Sequence, residues 1–275
     1  MSAPAVTRRL LPASATRRLP RWLDGLLEAI GLPLVLLGLW ALSALIAPNR
    51  RFPAPWTIAD AFVKTWVGDA FFVDVVPSVY RLLVGLALAI VIGIALGILV
   101  GSLRWLRQLV EPVFEFFRAI PPPMLVPLLA ITLGIGDTAK IVVIVAGTVW
   151  PILLNTVEGV RSVDAVQRET ATSYQLSPLQ RVRYITLPSA APQIMAGIRQ
   201  SLSIGIILMV ISEMTNASSG LGYRITFFQQ NFQIPEMWSG IILLGFIGIA
   251  LAVLFQIAEH FVLGWYRGLK ETERA

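Results

Sequence analysis

Residues 82–103 read LLVGLALAIVIGIALGILVGSL, 22 positions without a charge between Arg81 and Arg104. As a helix they rise about 33 Å at 1.5 Å per residue, enough to cross a hydrocarbon core of about 30 Å. Gly93, Gly97 and Gly101 recur every four residues, with Gly85 two turns earlier. They fall on one stripe, which reads either as a surface for close helix packing or as the general glycine enrichment of membrane helices; the spacing favours packing. Over all 275 residues, 56% are hydrophobic and only 14% charged. A soluble domain carries about 25% charged residues, so this chain cannot cover its own surface with polar groups. The same composition excludes disorder. A membrane protein is the remaining class.

Other uncharged runs have the same reach. Glu28 and Arg50 bracket the 21 residues 29–49, and Glu236 and Glu259 bracket the 22 residues 237–258. Shorter runs occupy 119–136 and 141–157, with a turn at Gly134-Ile135-Gly136-Asp137 between them. A sixth segment, about 193–215, is interrupted by Arg199 and Glu213. Six spans are expected, at about 29–48, 79–102, 113–135, 139–160, 193–215 and 238–264, within a membrane domain covering 22–275. Residues 1–21 carry five Arg and no acid, which reads as a disordered basic tail rather than a cleaved signal sequence. With the N-terminus inside, inner segments hold 14 Lys and Arg and outer ones 5. The positive-inside rule therefore places both termini in the cytoplasm. The net charge of +6 belongs to span ends, and no nucleic-acid face is expected. Trp56, Trp66, Phe71 and Phe72 in the outer loop suit the membrane interface.

No Cys, a single His260 and no Asp within a span leave no parts for a metal site or an intramembrane hydrolase. No catalytic residue is expected, and no phosphate-binding loop is present. Charges within spans cost about 2.5–3.5 kcal/mol each at mid-helix, so they mark candidate pathway residues. These are Arg118, Arg199 and Glu213, with Pro122 in the break formed by the three prolines at 121–123. Glu115 is set to pair with Arg118 three residues on, Arg199 to snorkel or pair with Glu115, and Arg224 to neutralise Glu213.

The inner segment 161–192 is too long to lack structure. Asp164 and Gln167 have capping-box spacing, and Ser177-Pro178-Leu179-Gln180 is a stronger helix start. Leu179, Val182 and Ile185 give the second short helix an apolar stripe, and Pro188 and Pro192 punctuate the chain before the fifth span. Such a pair of helices either docks a partner or lies on the bilayer surface.

Glu169-Thr170-Ala171, then Gln175, then Ile185-Thr186-Leu187-Pro188 resembles the cytoplasmic loop motif of bacterial ABC importer permeases. That motif reads E-A-A, three residues, G, nine residues, I-x-L-P. Thr170 and Gln175 depart from it, and Ser177-Pro178 could supply the turn that the glycine makes. Ser78-Val79-Tyr80-Arg81 with Gly85, Arg118 through Pro127, Gly134-Ile135-Gly136, and Glu213-Met214 with Gly220-Leu221-Gly222-Tyr223 resemble the nitrate, sulfonate and taurine branch. The resemblance covers roughly residues 75–265. It implies an all-α, six-helix type I importer permease in the bacterial inner membrane, with a helical coupling loop between helices 4 and 5.

The resemblance further implies a dimer with a second copy of the permease, on two ATPase subunits that bind ATP and Mg, supplied by an extracytoplasmic binding protein. The chain itself would hold no cofactor. Ala171, Ser173, Tyr174, Ser177 and Leu179 would lie at the ATPase contact, with Glu169 orienting the first short helix and Thr170, Gln175, Ile185, Leu187 and Pro188 completing the motif. The cargo would be a small anion such as an alkanesulfonate, taurine or nitrate. Thiamine precursors, bicarbonate and flavin-type solutes stay open as alternatives, as does a self-contained transporter or channel.

Overall fold

A computed structural model describes residues 21–266 and 268, and of residues 21–30 and 216 the backbone alone. The tail expected over 1–21 lies, apart from Arg21, outside the described residues. The chain divides into two compact units, 1–55 and 56–275. The first contains α1 (Arg21–Ile46). Its described apolar part, Gly31–Ile46, is shorter than the span expected over 29–48.

In the second unit, α2 (Pro55–Trp66) precedes a π turn at Phe71–Val75 and α3 (Val76–Ser102). Then come α4 (Arg104–Ala119), a 3-10 turn at Pro122–Met124, α5 (Leu125–Leu133) and α6 (Asp137–Arg161). After α7 (Ala165–Ser173) and α8 (Pro178–Arg181), a π turn at Val182–Thr186 leads into α9 (Leu187–Asn216). The unit ends with α10 (Leu221–Gln230) and α11 (Ile234–Val262). Among the described residues, four helical runs are long and apolar enough to cross a membrane: Phe71–Ser102, Asp137–Arg161, Pro178–Thr215 and Ile234–Val262. The pair Arg104–Ala119 and Pro122–Leu133, bent by 75° at the break between them, makes a fifth if the two helices are one broken span rather than a re-entrant loop.

Two expected boundaries are corrected. The helix that carries the start of the expected third span begins at Arg104, not near 113, because α4 carries charge on one face and an uncharged-run search cannot see it. It breaks where the sequence places three consecutive prolines, with Ile120 and Pro121 in extended conformation. The second short helix does not end before the fifth span. Helix continues from Pro178 to Thr215, through Pro188 and Pro192. Pro188 follows the π turn directly, where the regular i to i−4 bonding is already interrupted, so its missing N–H and ring are accommodated within the continuous helix.

The glycine stripe on α3 sets the packing. A Cβ on Gly85, Gly93, Gly97 or Gly101 would stand 2.5–2.8 Å from side-chain atoms of Ile144, Ile152, Thr156 and Val160 respectively. The pairing 85–144, 93–152, 97–156 and 101–160 keeps one register, so α3 and α6 run parallel with backbones in near contact. Thr148 and Thr156 donate their hydroxyls to Ile144 O and Ile152 O, each at 2.6 Å, which satisfies the polar atom within the helix. Helix α9 packs antiparallel on α6. Gly159 lies against Ala190, Gly197 against Pro151 O, and Ser201 Oγ donates to Thr148 O at 2.7 Å.

Trp66 does not lie at an interface with lipid. It is buried, and its Nε1 donates to Ser239 Oγ at 2.9 Å, joining α2 to α11. Trp56, Phe71 and Phe72 are exposed.

Candidate functional site

Two polar constructions occupy opposite ends of the second unit. One joins the start of α3, the start of α6, the end of α9 and the start of α10. Arg81 Nη1 donates to Glu213 Oε1 at 2.6 Å and to Ser219 O at 3.1 Å, while its Nε donates to Asp137 Oδ1 at 2.8 Å. Arg224 Nε donates to Asp74 Oδ2 at 2.7 Å. Ser78 Oγ donates to the Glu213 carboxylate at 2.8 Å. Asp74, Ser78, Arg81 and Glu213 are all buried. Buried charges survive only when paired and hydrogen-bonded, and here each has both.

The same side chains cap α10. Its entry exposes N–H groups that the helix itself cannot satisfy. Gly220 N donates to Asp74 Oδ1 at 3.1 Å, Leu221 N to Ser78 Oγ at 2.8 Å and Gly222 N to Glu213 Oε2 at 3.0 Å. Carboxylates at a helix N-terminus also oppose its positive dipole end. Gly220 has φ +123°, and a Cβ there would stand 2.5 Å from the Glu213 carboxyl carbon. At Gly222 a Cβ would stand 2.5 Å from Val210 O. The glycines are what let the loop close over the carboxylate.

Three stretches singled out in the sequence thus meet: Ser78–Arg81, Gly134–Asp137 and Glu213–Tyr223. The expected Glu213–Arg224 pair is corrected, since Glu213 binds Arg81 and Arg224 binds Asp74. Arg81 reaches Glu213 because Ser78 and Arg81 sit one turn apart on the buried face of α3. Glu213, a pathway candidate in the sequence, is enclosed as an anchor. Asp74 and Ser219 carried no signal, because their partners lie more than a hundred positions away.

The second construction is the hairpin between α6 and α9. Asp164 caps α7 by accepting from Val166 N at 3.3 Å. Gln167 does not complete a capping box; its Oε1 accepts from Ser189 Oγ at 3.1 Å, tying α7 to the start of α9. Arg168 Nη2 donates to Arg161 O at 3.0 Å and Val160 O at 3.3 Å, satisfying carbonyls at the end of α6. Orientation of α7 therefore rests on Gln167 and Arg168. Glu169, expected to orient it, is exposed and makes no hydrogen bond among the described residues.

The turn after α7 resolves the missing glycine. Gln175 itself takes φ +52°. Leu176 N donates to Ala171 O and Gln175 N to Thr172 O, both at 3.0 Å, the bonds of a Schellman turn. The expected capping box at Ser177 is present. Gln180 N donates to Ser177 Oγ at 3.4 Å, and Ser177 N to Gln180 Oε1 at 2.8 Å.

Ala171 is 3% exposed and faces a 220 Å³ cavity shared with Gly101, Val160 and Ile185. Tyr174 and Leu179 are 77% and 78% exposed at the tip, with Ser173, Thr170 and Ser177 also exposed. The expected stripe of Leu179, Val182 and Ile185 is therefore split, with Leu179 outward and Ile185 half-buried. Leu187 and Pro188 are half-buried at the start of α9, Leu187 packing on a core that includes Val160 and Ala190.

Arg118 pairs with Glu115 at 2.9 Å, as the spacing indicated. Arg199 pairs with Glu259 on α11, not with Glu115, and stacks near the Phe255 ring. Pro122 is half-buried against Gly147.

The family model described as "Binding-protein-dependent transport system inner membrane component" matches residues 89–264. The chain is 30% identical over 260 residues to the aliphatic sulfonates transport permease protein SsuC of Bacillus subtilis, covering 92% of this chain and 93% of that protein. It is 29% identical over 247 residues to the taurine transport system permease protein TauC of Escherichia coli, covering 86% and 90%. It is also 30% identical over 242 residues to the riboflavin transport system permease protein RibX of Chloroflexus aurantiacus, covering 86% and 90%. Among solved structures, a chain of the MetNI methionine ABC transporter shares the fold, with a TM-score of 0.57 at 22% identity over 69% of this chain and 93% of that one.

Proposed function

This chain belongs to the inner-membrane components of binding-protein-dependent transport systems, and from that premise we propose its cargo and its assembly. As a member it is the permease of an ABC importer and not the ATP-hydrolysing subunit. Two copies form the pathway for small sulfonates such as taurine. They sit on two cytoplasmic ATPases that bind ATP and Mg, and receive solute from an extracytoplasmic binding protein. Both termini face the cytoplasm, in line with 14 Lys and Arg on that side against 5 on the other.

The exposed tip of the α7–α8 hairpin carries this reading. Tyr174 and Leu179 project from a turn that is braced on both flanks, by Arg168 on the end of α6 and Gln167 on the start of α9. Two exposed apolar side chains at the tip of one braced hairpin would suit a contact with a partner protein. A push on that tip is delivered to α6 and α9 together, which is how closure of two ATPases would tilt the spans. Glu169, exposed and without a hydrogen bond among the described residues, would offer its carboxylate to a basic group on the ATPase. Arg118 and Pro122 are the pathway residues of the proposal.

The test is co-purification and uptake in proteoliposomes. Tyr174→Ala with Leu179→Ala should retain membrane insertion but lose most bound ATPase and ATP-driven uptake. Full uptake by this variant would refute the coupling role. The sulfonate reading is supported by the relatives named for aliphatic sulfonates and taurine. A riboflavin permease of equal identity supports a second cargo class. Uptake of labelled taurine, competed separately by hexanesulfonate and by riboflavin, separates the two.

A further inference from the structure

Arg168 and Arg181 approach one cavity from two different helices. This space of 220 Å³ lies where the ends of α3 and α6 meet the α7–α8 hairpin, and hydroxyls of Ser102, Thr172 and Thr186 line it beside the two arginines. No acidic residue lines it. Neither arginine forms an ion pair among the described residues. Two like charges on one cavity repel each other, and an anion between them relieves that repulsion.

Backbone carbonyls hold both guanidiniums and leave donors over. Arg168 is fixed through Nη2 on Arg161 O and Val160 O at 3.0 and 3.3 Å, which leaves Nε and Nη1 without an acceptor among the described residues. Arg181 is fixed through Nε on Leu176 O at 3.0 Å. Both of its Nη groups are left over, and these form the fork that can bind two oxygens of one oxyanion. Thr172 donates its hydroxyl to Arg168 O at 3.0 Å, whereas the Ser102 and Thr186 hydroxyls make no hydrogen bond among the described residues. At about 30 Å³ per water, the cavity has room for roughly seven waters, or for a tetrahedral oxyanion group with part of its hydration.

We propose that this cavity is an anion site for a tetrahedral oxygen group of the phosphate or sulfonate type, held by Arg168 and Arg181 against Ser102, and that filling it ties the hairpin to α3. The hairpin's own hydrogen bonds reach the end of α6 through Arg168 and the start of α9 through Gln167. Among the described residues none reaches α3. An anion bridging Arg181 and Ser102 supplies that third brace. On the orientation proposed above, this end faces the cytoplasm, so the group comes from a dissolved anion or from a phospholipid headgroup of the inner leaflet.

Amide exchange over residues 165–186 tests the site in the complete complex, held in phosphatidylcholine nanodiscs and titrated with sulfate against chloride at constant ionic strength. Sulfate should slow exchange saturably, about tenfold at ten times its Kd, because a ligand bound only to the folded hairpin suppresses opening in proportion. Arg181→Gln should abolish the response. Ser102→Asp places a carboxylate in the cavity, so its exchange should be slow from the start and insensitive to sulfate, a result that damage to the fold would not produce. Nanodiscs that include phosphatidylglycerol separate the sources. Slow exchange there without sulfate, and no further slowing with it, assigns the site to the headgroup; dependence on sulfate alone assigns it to a dissolved anion, and either result supports the site. Equal slowing by chloride, no slowing by sulfate or phosphatidylglycerol, or a full sulfate response in either variant overturns it. The exchange measurement needs neither ATP nor solute, so the site and the proposed transport role stand or fall separately.

Discussion

Arg81 and Glu213, 132 residues apart in the chain, meet at 2.6 Å with both side chains enclosed. Removing one partner leaves an uncompensated buried charge, which costs about 3–5 kcal/mol. Arg81→Ala and Glu213→Ala should each lower the thermal midpoint of the detergent-solubilised protein sharply. Asp137, whose side chain is 54% exposed, is solvated at the same guanidinium, so Asp137→Asn should change the midpoint little. Equal effects at Asp137 and Glu213 would contradict the anchor.

Gly97 offers a cleaner steric test. A Cβ there would stand 2.5 Å from Thr156 Cβ, whereas at Gly245 nothing lies within 4 Å. Gly97→Ala should force α3 and α6 apart at a cost of about 1–3 kcal/mol. Gly245→Ala should be neutral or slightly stabilising through helix propensity. Folded yield by size-exclusion chromatography distinguishes them, and a well-folded Gly97→Val variant would refute the close register.

Gln175 holds a left-handed conformation that costs a non-glycine residue about 1–2 kcal/mol. Gln175→Gly should therefore stabilise the hairpin. Amide exchange over residues 165–186 is the readout. Slower exchange in the variant is expected, and faster exchange would show that the side chain itself supports the turn.

Trp66 and Ser239 form a buried hydrogen bond at 2.9 Å. Ser239→Ala should leave the indole N–H unsatisfied and cost about 1–3 kcal/mol. Replacing both partners, with Trp66→Phe added, should recover part of that loss on the hydrogen-bond account. A double variant showing the plain sum of two independent losses would argue that the bond itself contributes little.

Much of this was legible without coordinates. Uncharged runs located the spans at 82–103, 141–157 and 237–258, because burying charge in lipid is costly enough to leave a mark in composition. The four-residue glycine spacing identified the packing face of α3, since helical periodicity maps spacing onto direction. Ser177 and Gln180 announced their capping box because both partners are local. Where reading by run length failed, at α4, the helix satisfies its charges on one face, and counting along the chain averages faces together. Pro188 misled for a related reason: the π turn just before it breaks the regular hydrogen-bond pattern that its missing N–H would otherwise interrupt, whereas Pro192 simply lies inside α9.

Sequence by itself determined that this polypeptide is a multi-helix membrane protein, where three of its long apolar helices lie and which face of α3 must pack closely. All of these follow from solvent preference and helical period, which act locally. Only the tertiary structure decided that Glu213 answers Arg81, that Asp74 answers Arg224, that Arg199 answers Glu259 and that Trp66 is an interior residue. Charges select partners by distance in space, and a chain of 275 residues holds several candidates of each sign. Which pair forms depends on the parallel register of α3 against α6 and the return of α9 beside them, set by contacts between residues far apart in the chain.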